Sequence, residues 1–336
     1  MPERNRRIVL AERPSGNVQE KNVRLEEVDV PEPDDGEALL RNRYLSIDPT
    51  IRTWMDDVQG YLPPIGIDEV VRCAAVAEVV QSNSDRYAVG DLVFGMGGWQ
   101  DYLLADDGAR AMQALPPGID PTAALSVFGV TGMTAYFGLL DVGKVKEGDT
   151  VVVSGAAGAT GSIVGQIARL KGAARVVGIA GSDEKCAWLV DELGFDTAVN
   201  YRSEDVAARL REACPDRIDL YFDNVGGELL DICLGQLALR GRVVLCGAIS
   251  SYNAREQAVG PKNYRNLIPQ RGRMEGFIIL DYLDRFAEGQ QDMARWVAEG
   301  KVKFAIHLVE GLEQAPSALN LLFTGGNTGK VIVRVD

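Results

Sequence analysis

The sequence predicts an α/β protein in two parts, a β-rich domain and a doubly wound domain built on a parallel sheet. Three observations lead there. From about residue 120, apolar strands alternate with amphipathic segments of helical length. A glycine loop, SGAAGATGS at 154–162, stands between one such strand and one such helix. Glycine is abundant, 37 of 336 residues, where about 7% is usual, and tight strand–helix turns account for such an excess. The length suits two domains of ordinary size.

Before residue 120 the chain reads as short strands broken by turns: Arg6–Ala11, Val23–Val30, Glu37–Ser46, Val70–Gln81 and Asp91–Phe94. The run from Pro31 to Gly36 and the Gly90–Asp91 pair are turn signals. In the second part the expected strands are Thr150–Ser154, Arg175–Ala180, Thr197–Asn200, Ile218–Asp223, Arg242–Cys246 and Arg273–Leu280. Helices are expected between them, at Ser162–Lys171, Glu184–Leu193 and Glu204–Ala213. Six strands make a full doubly wound set. The stretch from Lys301 returns to strand-like runs and ends in KVIVRV, a terminal strand expected to rejoin the first domain.

Composition narrows the functions. The chain is 46% hydrophobic and 25% charged, with a formal net charge of −13. An acidic protein has no general field to attract nucleic acid or an anionic membrane. Five well-separated cysteines without a CxxC pair point to reduced thiols and a cytoplasmic location. MPERNRRIVL is followed by no apolar stretch and nowhere do 18 apolar residues run together, so neither a signal peptide nor a membrane span is expected. There is one histidine, His307, so neither a histidine-based metal site nor a Ser-His-Asp triad is expected.

The glycine loop carries the chemistry. Gly158 and Gly161 keep side chains clear of a helix N-terminus, so a diphosphate can approach the backbone N–H groups. Ala156 stands at the first glycine position of the G-x-G-x-x-G pattern. The plainer alternative is a turn needed only for helix–strand packing. An NAD site places an acid at the end of the second strand; here Gly181 and Ser182 stand there, leaving room for a 2′-phosphate. Lys185, Tyr201 and Arg202 are candidate donors to that phosphate, which favours NADP. Asp183 and Glu184 read as first-turn carboxylates complementing a helix dipole.

Taken together, LSIDPTIRTWM (45–55), GVTGMTAYFGLLDVG (129–143), AAGATGS, GIAGSDEKC, DNVGG (223–227), CGAISSYN (246–253), RMEGFIILDY (273–282) and GGNTGK (325–330) resemble the zinc-free branch of the medium-chain dehydrogenase/reductases. Within it the chain is most similar to NADPH-dependent alkenal/enone double-bond reductases. The resemblance spans nearly the whole chain. It implies a GroES-like catalytic domain at 1–119 and 303–336, a Rossmann NADP-binding domain at 120–302, and an active site in the cleft between them.

By position, the resemblance implies that Gly158, Ala159, Thr160 and Gly161 cradle the diphosphate of NADP(H). Lys185 and Tyr201 hold the 2′-phosphate above Gly181 and Ser182. Asn224, Cys246, Gly247, Ala248, Ser250, Tyr252, Phe277, Ile278, Ile279 and Asn327 surround the nicotinamide half. The implied reaction is hydride delivery to the β-carbon of an enone or enal, without metal. The chain departs from the family at Thr50 and Pro269, where relatives often carry tyrosine, which leaves Tyr252 and Tyr61 as candidate proton donors. Tyr61 reads equally as a loop aromatic packed beside Pro63 and Pro64. Arg52 is a candidate for steering a phosphate, or else a surface ion pair. Trp54, Phe94 and Trp99 are candidate pocket or core aromatics. Quinone reduction, non-catalytic NADPH binding and, more remotely, methyl transfer stand as alternatives. The expected partners are a small hydrophobic electrophile and a second copy of the chain, paired through the Arg273–Leu280 strand.

Overall fold

A computed structural model describes residues 4–254 and 260–335. Seven strands come first: β1 (Asn5–Leu10), β2 (Val23–Val28), β3 (Ala38–Ile47), β4 (Ala74–Ser82), β5 (Leu92–Met96), β6 (Tyr102–Ala105) and β7 (Gln113–Ala114). Six follow: β8 (Thr150–Ser154), β9 (Arg175–Ala180), β10 (Thr197–Asn200), β11 (Ile218–Asp223), β12 (Leu237–Leu245) and β13 (Arg273–Gly276). Two close the chain, β14 (Ile306–Glu310) and β15 (Lys330–Arg334).

The chain divides into two compact units. One comprises 1–125, 306–327 and 331–336; the other comprises 126–305 and 328–330. In the first, a sheet runs β14-β15-β3-β4-β5-β7, with β6 also on β3, and β1 pairs antiparallel with β2. β15 runs antiparallel along β3, Val331 opposite Ile47 and Val333 opposite Leu45. The terminal strand thus belongs to the N-terminal sheet, because its alternate residues Val331, Val333 and Val335 complete that unit's apolar core with Leu45, Ile47 and Trp99.

The second unit is a parallel sheet in the order β10-β9-β8-β11-β12-β13. The order reverses between β8 and β11, the point at which such sheets take ligands beyond the carboxyl ends of their strands. Both faces are covered, so β8 reads as an apolar run, TVVVS, buried throughout. The fold class is the one expected: a mixed β-rich unit and a doubly wound parallel-sheet unit.

Several expected elements change in extent. The helix after the glycine loop starts three residues early, at Ala159–Leu170 with Gly158 as N-cap, so Ala159, Thr160 and Gly161 are its first turn. The third helix is shorter, Val206–Ala213, because Asp205 caps it by accepting from the Ala208 N–H. β12 begins five residues before Arg242 and absorbs a register shift against β11, with Arg240 left-handed (φ 63°). The strand expected at Arg273–Leu280 ends at Gly276, and a 3-10 turn covers Ile279–Arg285. Its apolar character has another cause. Tyr282 stacks on Phe137 (4.8 Å between ring centroids) and meets Phe277 edge-on. The strand-like stretch after Lys301 also holds a helix, Ala315–Thr324.

Arg52 makes an ion pair, with Asp56, but from a buried position rather than from the surface. It is 3% exposed, and its guanidinium donates to the Gly16 and Pro14 carbonyls and to Asp56. Arg52→Ala strands two carbonyls and is expected to cost about 2 kcal/mol of stability, leaving NADPH affinity unchanged; a melting curve beside a cofactor titration checks it.

Candidate functional site

The glycine loop opens at the carboxyl end of β8. Gly155 turns the chain with φ 56°, and Gly158 enters the helix extended (φ −84°, ψ 176°) with no side chain to cap the first N–H groups. Those groups and the helix dipole are the ordinary anion-binding arrangement of a helix N-terminus. The two glycines differ in cause. A Cβ on Gly161 would lie 2.4 Å from the Gly155 carbonyl oxygen, so the loop's own closure requires glycine there. At Gly158 the nearest atom would be 3.2 Å away, a tight but adjustable contact.

The loop is braced by a segment far along the chain. The Gly329 N–H donates to the Ala157 carbonyl (2.8 Å), and Gly158 and Gly329 form a parallel bridge. Gly329 is left-handed (φ 70°), and a Cβ there would lie 2.1 Å from the Ala305 carbonyl oxygen. GGNTGK had suggested only Asn327; the packing shows that Gly329 is the residue on the loop. Asn327 itself is buried in the first unit.

At the end of β9, Ser182 caps the Asp183–Asp191 helix by accepting from the Lys185 N–H, with Asp183 and Glu184 in the first turn. Asp183 also accepts from the Asn200 side chain (2.7 Å). Tyr201 covers Gly181: a Cβ on Gly181 would stand 3.0 Å from the Tyr201 hydroxyl. The Arg202 guanidinium lies over the Tyr201 ring, 5.7 Å from its centroid. Burial, and then the charge of Arg202, hold the Lys185 ammonium below the ordinary lysine value. The Lys185 and Arg202 charges thus act on each other close to Gly181 and Tyr201.

The β11 and β12 ends supply the other wall. Asn224 donates through Nδ2 to the Ser154 carbonyl (2.7 Å). The Cys246–Tyr252 segment folds onto it: the Ser250 N–H and hydroxyl both donate to the Val225 carbonyl, and the Ile249 N–H donates to the Asn224 carbonyl. Gly247 and Ala248 lie in this turn, where the Tyr252 hydroxyl accepts from the Ala248 N–H (3.1 Å). Phe277 packs toward Gly138, whose missing Cβ would come within 2.6 Å of its ring. Ile278 and Ile279 follow it, half-buried.

Tyr61 lies in the first unit, about half exposed, and meets Trp54 edge-on at 6.4 Å, the packing arrangement of a loop aromatic. Thr50 opens the short Thr50–Trp54 helix, and Pro269 is exposed in the Leu267–Gln270 turn. Trp99 is fully buried core. Phe94 packs in a separate apolar cluster with Val76 and Ile332. His307 lies on β14. Among the described residues no group of three or more His, Cys, Asp and Glu could hold a metal ion, and no helix is long and apolar enough to cross a membrane.

Two functional-looking residues escaped the sequence reading. Asp223 is fully buried at the end of β11, and Ser154, equally buried, ends β8. Ser154 donates to Asp223 (3.0 Å) and accepts from the Asn224 N–H (3.0 Å). Burial pushes the Asp223 carboxyl above the usual range, although hydrogen bonds from Gly226, Tyr221, Val225 and Ser154 oppose it. The DNVGG run was a motif in view, yet only its asparagine stood out.

A β-rich unit closed by the C-terminal strand, a 3-2-1-4-5-6 parallel sheet and an uncapped glycine-loop helix together define a dinucleotide-binding oxidoreductase. Two family models agree, an N-terminal domain of oxidoreductases over residues 6–113 and a zinc-binding dehydrogenase over 159–299. The chain belongs to the medium-chain dehydrogenase/reductase family, in its zinc-free branch. It is 44% identical to the NADPH-dependent curcumin reductase of Escherichia coli K12 over 99% of this chain and 97% of that one. It is 38% identical to an NADP-dependent 2-alkenal reductase of Nicotiana tabacum over 99% and 98%. A crystal structure of CurA from Vibrio vulnificus in complex with NADPH matches with a TM-score of 0.93 at 45% identity, covering 98% of this chain and 99% of that one.

Proposed function

We propose that this protein is an NADPH-dependent reductase of the carbon–carbon double bond of α,β-unsaturated ketones and aldehydes. Gly181, Tyr201, Arg202 and Lys185 carry the cofactor choice: the end of β9 has a small residue where an NAD site has an acid, with Lys185 and Arg202 close by. The names of the curcumin and alkenal reductases, similar over the full length, support the reaction class.

Gly158 to Gly161 would receive the diphosphate, Lys185 and Tyr201 the 2′-phosphate over Gly181 and Ser182. Asn224, the Cys246–Tyr252 turn, Phe277 to Ile279 and Asn327 would hold the nicotinamide half. NADPH held by these residues would supply the hydride for the β-carbon, becoming NADP+, while a proton taken up at the α-carbon would complete the saturated carbonyl compound. Charge develops on the carbonyl oxygen, so donors there stabilise the transition state. Tyr252 is the better placed of the two tyrosines, since its hydroxyl accepts a backbone N–H and belongs to the turn that folds on Asn224. The decisive assay is NADPH oxidation over a panel of enals, enones and quinones, with NADH in parallel. Faster turnover of enones with NADPH supports the proposal. Preference for bulky quinones, or binding without turnover, refutes it.

Electrophilic substrates make the thiols informative. Burial and the Asp223 charge push the Cys246 thiol up to about 12, and burial pushes Cys214 to about 11. The thiolate is the nucleophile, so at pH 7 neither is expected to form an adduct with a short enal. Peptide mass spectrometry after incubation checks this, an adduct at either site being the contrary result.

The reading extends to a cytoplasmic homodimer. β13 is an edge strand of the parallel sheet, and Ile268, Tyr264, Leu283 and Leu280 are exposed apolar residues near it in sequence. An open edge with apolar neighbours is ordinarily covered. Sedimentation of the purified protein decides between monomer and dimer.

A further inference from the structure

Asp223 gathers the three chain segments that meet at the sheet's point of reversal. Its Oδ1 accepts from the Ser154 hydroxyl (3.0 Å), the Tyr221 hydroxyl (2.8 Å), the Val225 N–H (3.0 Å) and the Gly226 N–H (2.9 Å). Its backbone carbonyl accepts from the Cys246 and Gly247 N–H groups (2.9 and 3.1 Å). Oδ2 is buried and has no hydrogen-bond partner among the described residues.

A carboxylate is costly at such a site, and an apolar residue would serve the sheet as well. What the carboxylate adds is directed at the loops. Ser154 is the first residue of the glycine loop, and its hydroxyl passes the contact on by accepting from the Asn224 N–H. Val225 and Gly226 form the turn into the Gly227–Gly235 helix, where Gly226 and Gly227 are both left-handed (φ 73° and 58°). Two consecutive residues in that region make a turn that needs external anchoring, and Oδ1 supplies it through two N–H groups.

We propose that the Asp223 side chain is a positioning residue for the dinucleotide: through Oδ1 it locks the end of β8 to the β11–helix turn, so that the glycine loop and Asn224 meet the cofactor as one preformed surface. The proposal rests on the assignment of the glycine loop and Asn224 to the cofactor. Asp223 touches neither cofactor nor substrate in this role, and its effect falls on binding.

The test measures the NADPH Kd by fluorescence titration, together with KM and kcat for an enone, in Asp223→Ala, Asp223→Asn and Ser154→Ala. Asp223→Ala is expected to raise the NADPH Kd and KM about tenfold or more, with kcat at saturating NADPH within about threefold of the parent. Asp223→Asn retains Oδ1 and is expected to restore Kd to within about threefold. A merely structural aspartate would lower the active fraction and the melting temperature and leave Kd per active site unchanged, which overturns the proposal. Failure of Asp223→Asn to improve on Asp223→Ala overturns it as well. Ser154→Ala, a small change expected to fold, decides the matter should Asp223→Ala not fold: a Kd raised about threefold supports the lock, an unchanged Kd overturns it. Asn224→Ala and Gly158→Val are the controls for the site itself. If they weaken NADPH binding while the Asp223 and Ser154 variants do not, positioning alone fails; if none does, the site assignment and the proposal both fail.

Discussion

Replacing Gly329 by alanine is expected to abolish useful NADPH binding, although this residue lies about 170 positions from the glycine loop. Its left-handed backbone alone costs a non-glycine residue about 1 kcal/mol. The larger effect is steric: the new Cβ would lie 2.1 Å from the Ala305 carbonyl oxygen and 2.6 Å from its carbon, backbone atoms that cannot swing aside. Either the turn moves, losing its hydrogen bond to Ala157 and its bridge to Gly158, or the chain at Ala305 moves with it. An increase in the NADPH Kd of roughly a hundredfold, about 2.7 kcal/mol, is the expected result. Gly300→Ala is the control, because Gly300 is also left-handed (φ 68°) but has nothing within 4 Å of its Cβ position. It should lose about 1 kcal/mol of stability and no affinity. Equal Kd values for the two variants would show that the brace is without consequence for the loop.

Lys185→Ala is expected to remove most of the preference for NADPH over NADH. The Lys185 ammonium is held below its ordinary pKa by burial and by Arg202, and a doubly charged phosphate beside it would oppose both effects. A charge-assisted hydrogen bond contributes about 1.5–3 kcal/mol, so KM for NADPH should rise roughly ten- to a hundredfold. KM for NADH, which has no 2′-phosphate, should move less than about twofold. Parallel initial-rate series with the two cofactors and one enone give the answer. Equal changes in both KM values would place the 2′-phosphate elsewhere.

The geometry around Gly181 explains why the NADP choice could be read before any coordinates. A side chain at 181 would meet the Tyr201 side chain at 3.0 Å, so an acid there would have to displace the tyrosine that covers the turn. Small residue, lysine and tyrosine are all visible in the linear text. The presence of six strands was equally legible, because each buried strand is a short apolar run and the helices between them have a polar face at regular spacing. Ends of elements were less so. The Arg273–Leu280 run is apolar for two different reasons in its two halves, an edge strand and then an aromatic cluster with Phe137. Periodicity does not distinguish them.

Arg52 shows the other kind of failure. An arginine in an acidic chain reads as a surface group, and only the fold reveals that Pro14 and Gly16 turn their carbonyls onto it. Ser154, Asp223 and Gly329 belong to the same class. Ser154 meets Asp223 across 69 positions and Gly329 meets Ala157 across about 170, through hydrogen bonds or contact distances that no local pattern records.

By itself, then, the sequence determined the two-part α/β architecture and the glycine loop at a helix N-terminus, because these depend on local periodicity and on spacing within one strand–loop–helix unit. Tertiary structure alone decided which glycines serve closure of the loop and which leave room for a ligand, and which buried polar groups tie the loops together. Those properties are distances between remote backbone atoms, and they exist only once the strands of the sheet have taken their places.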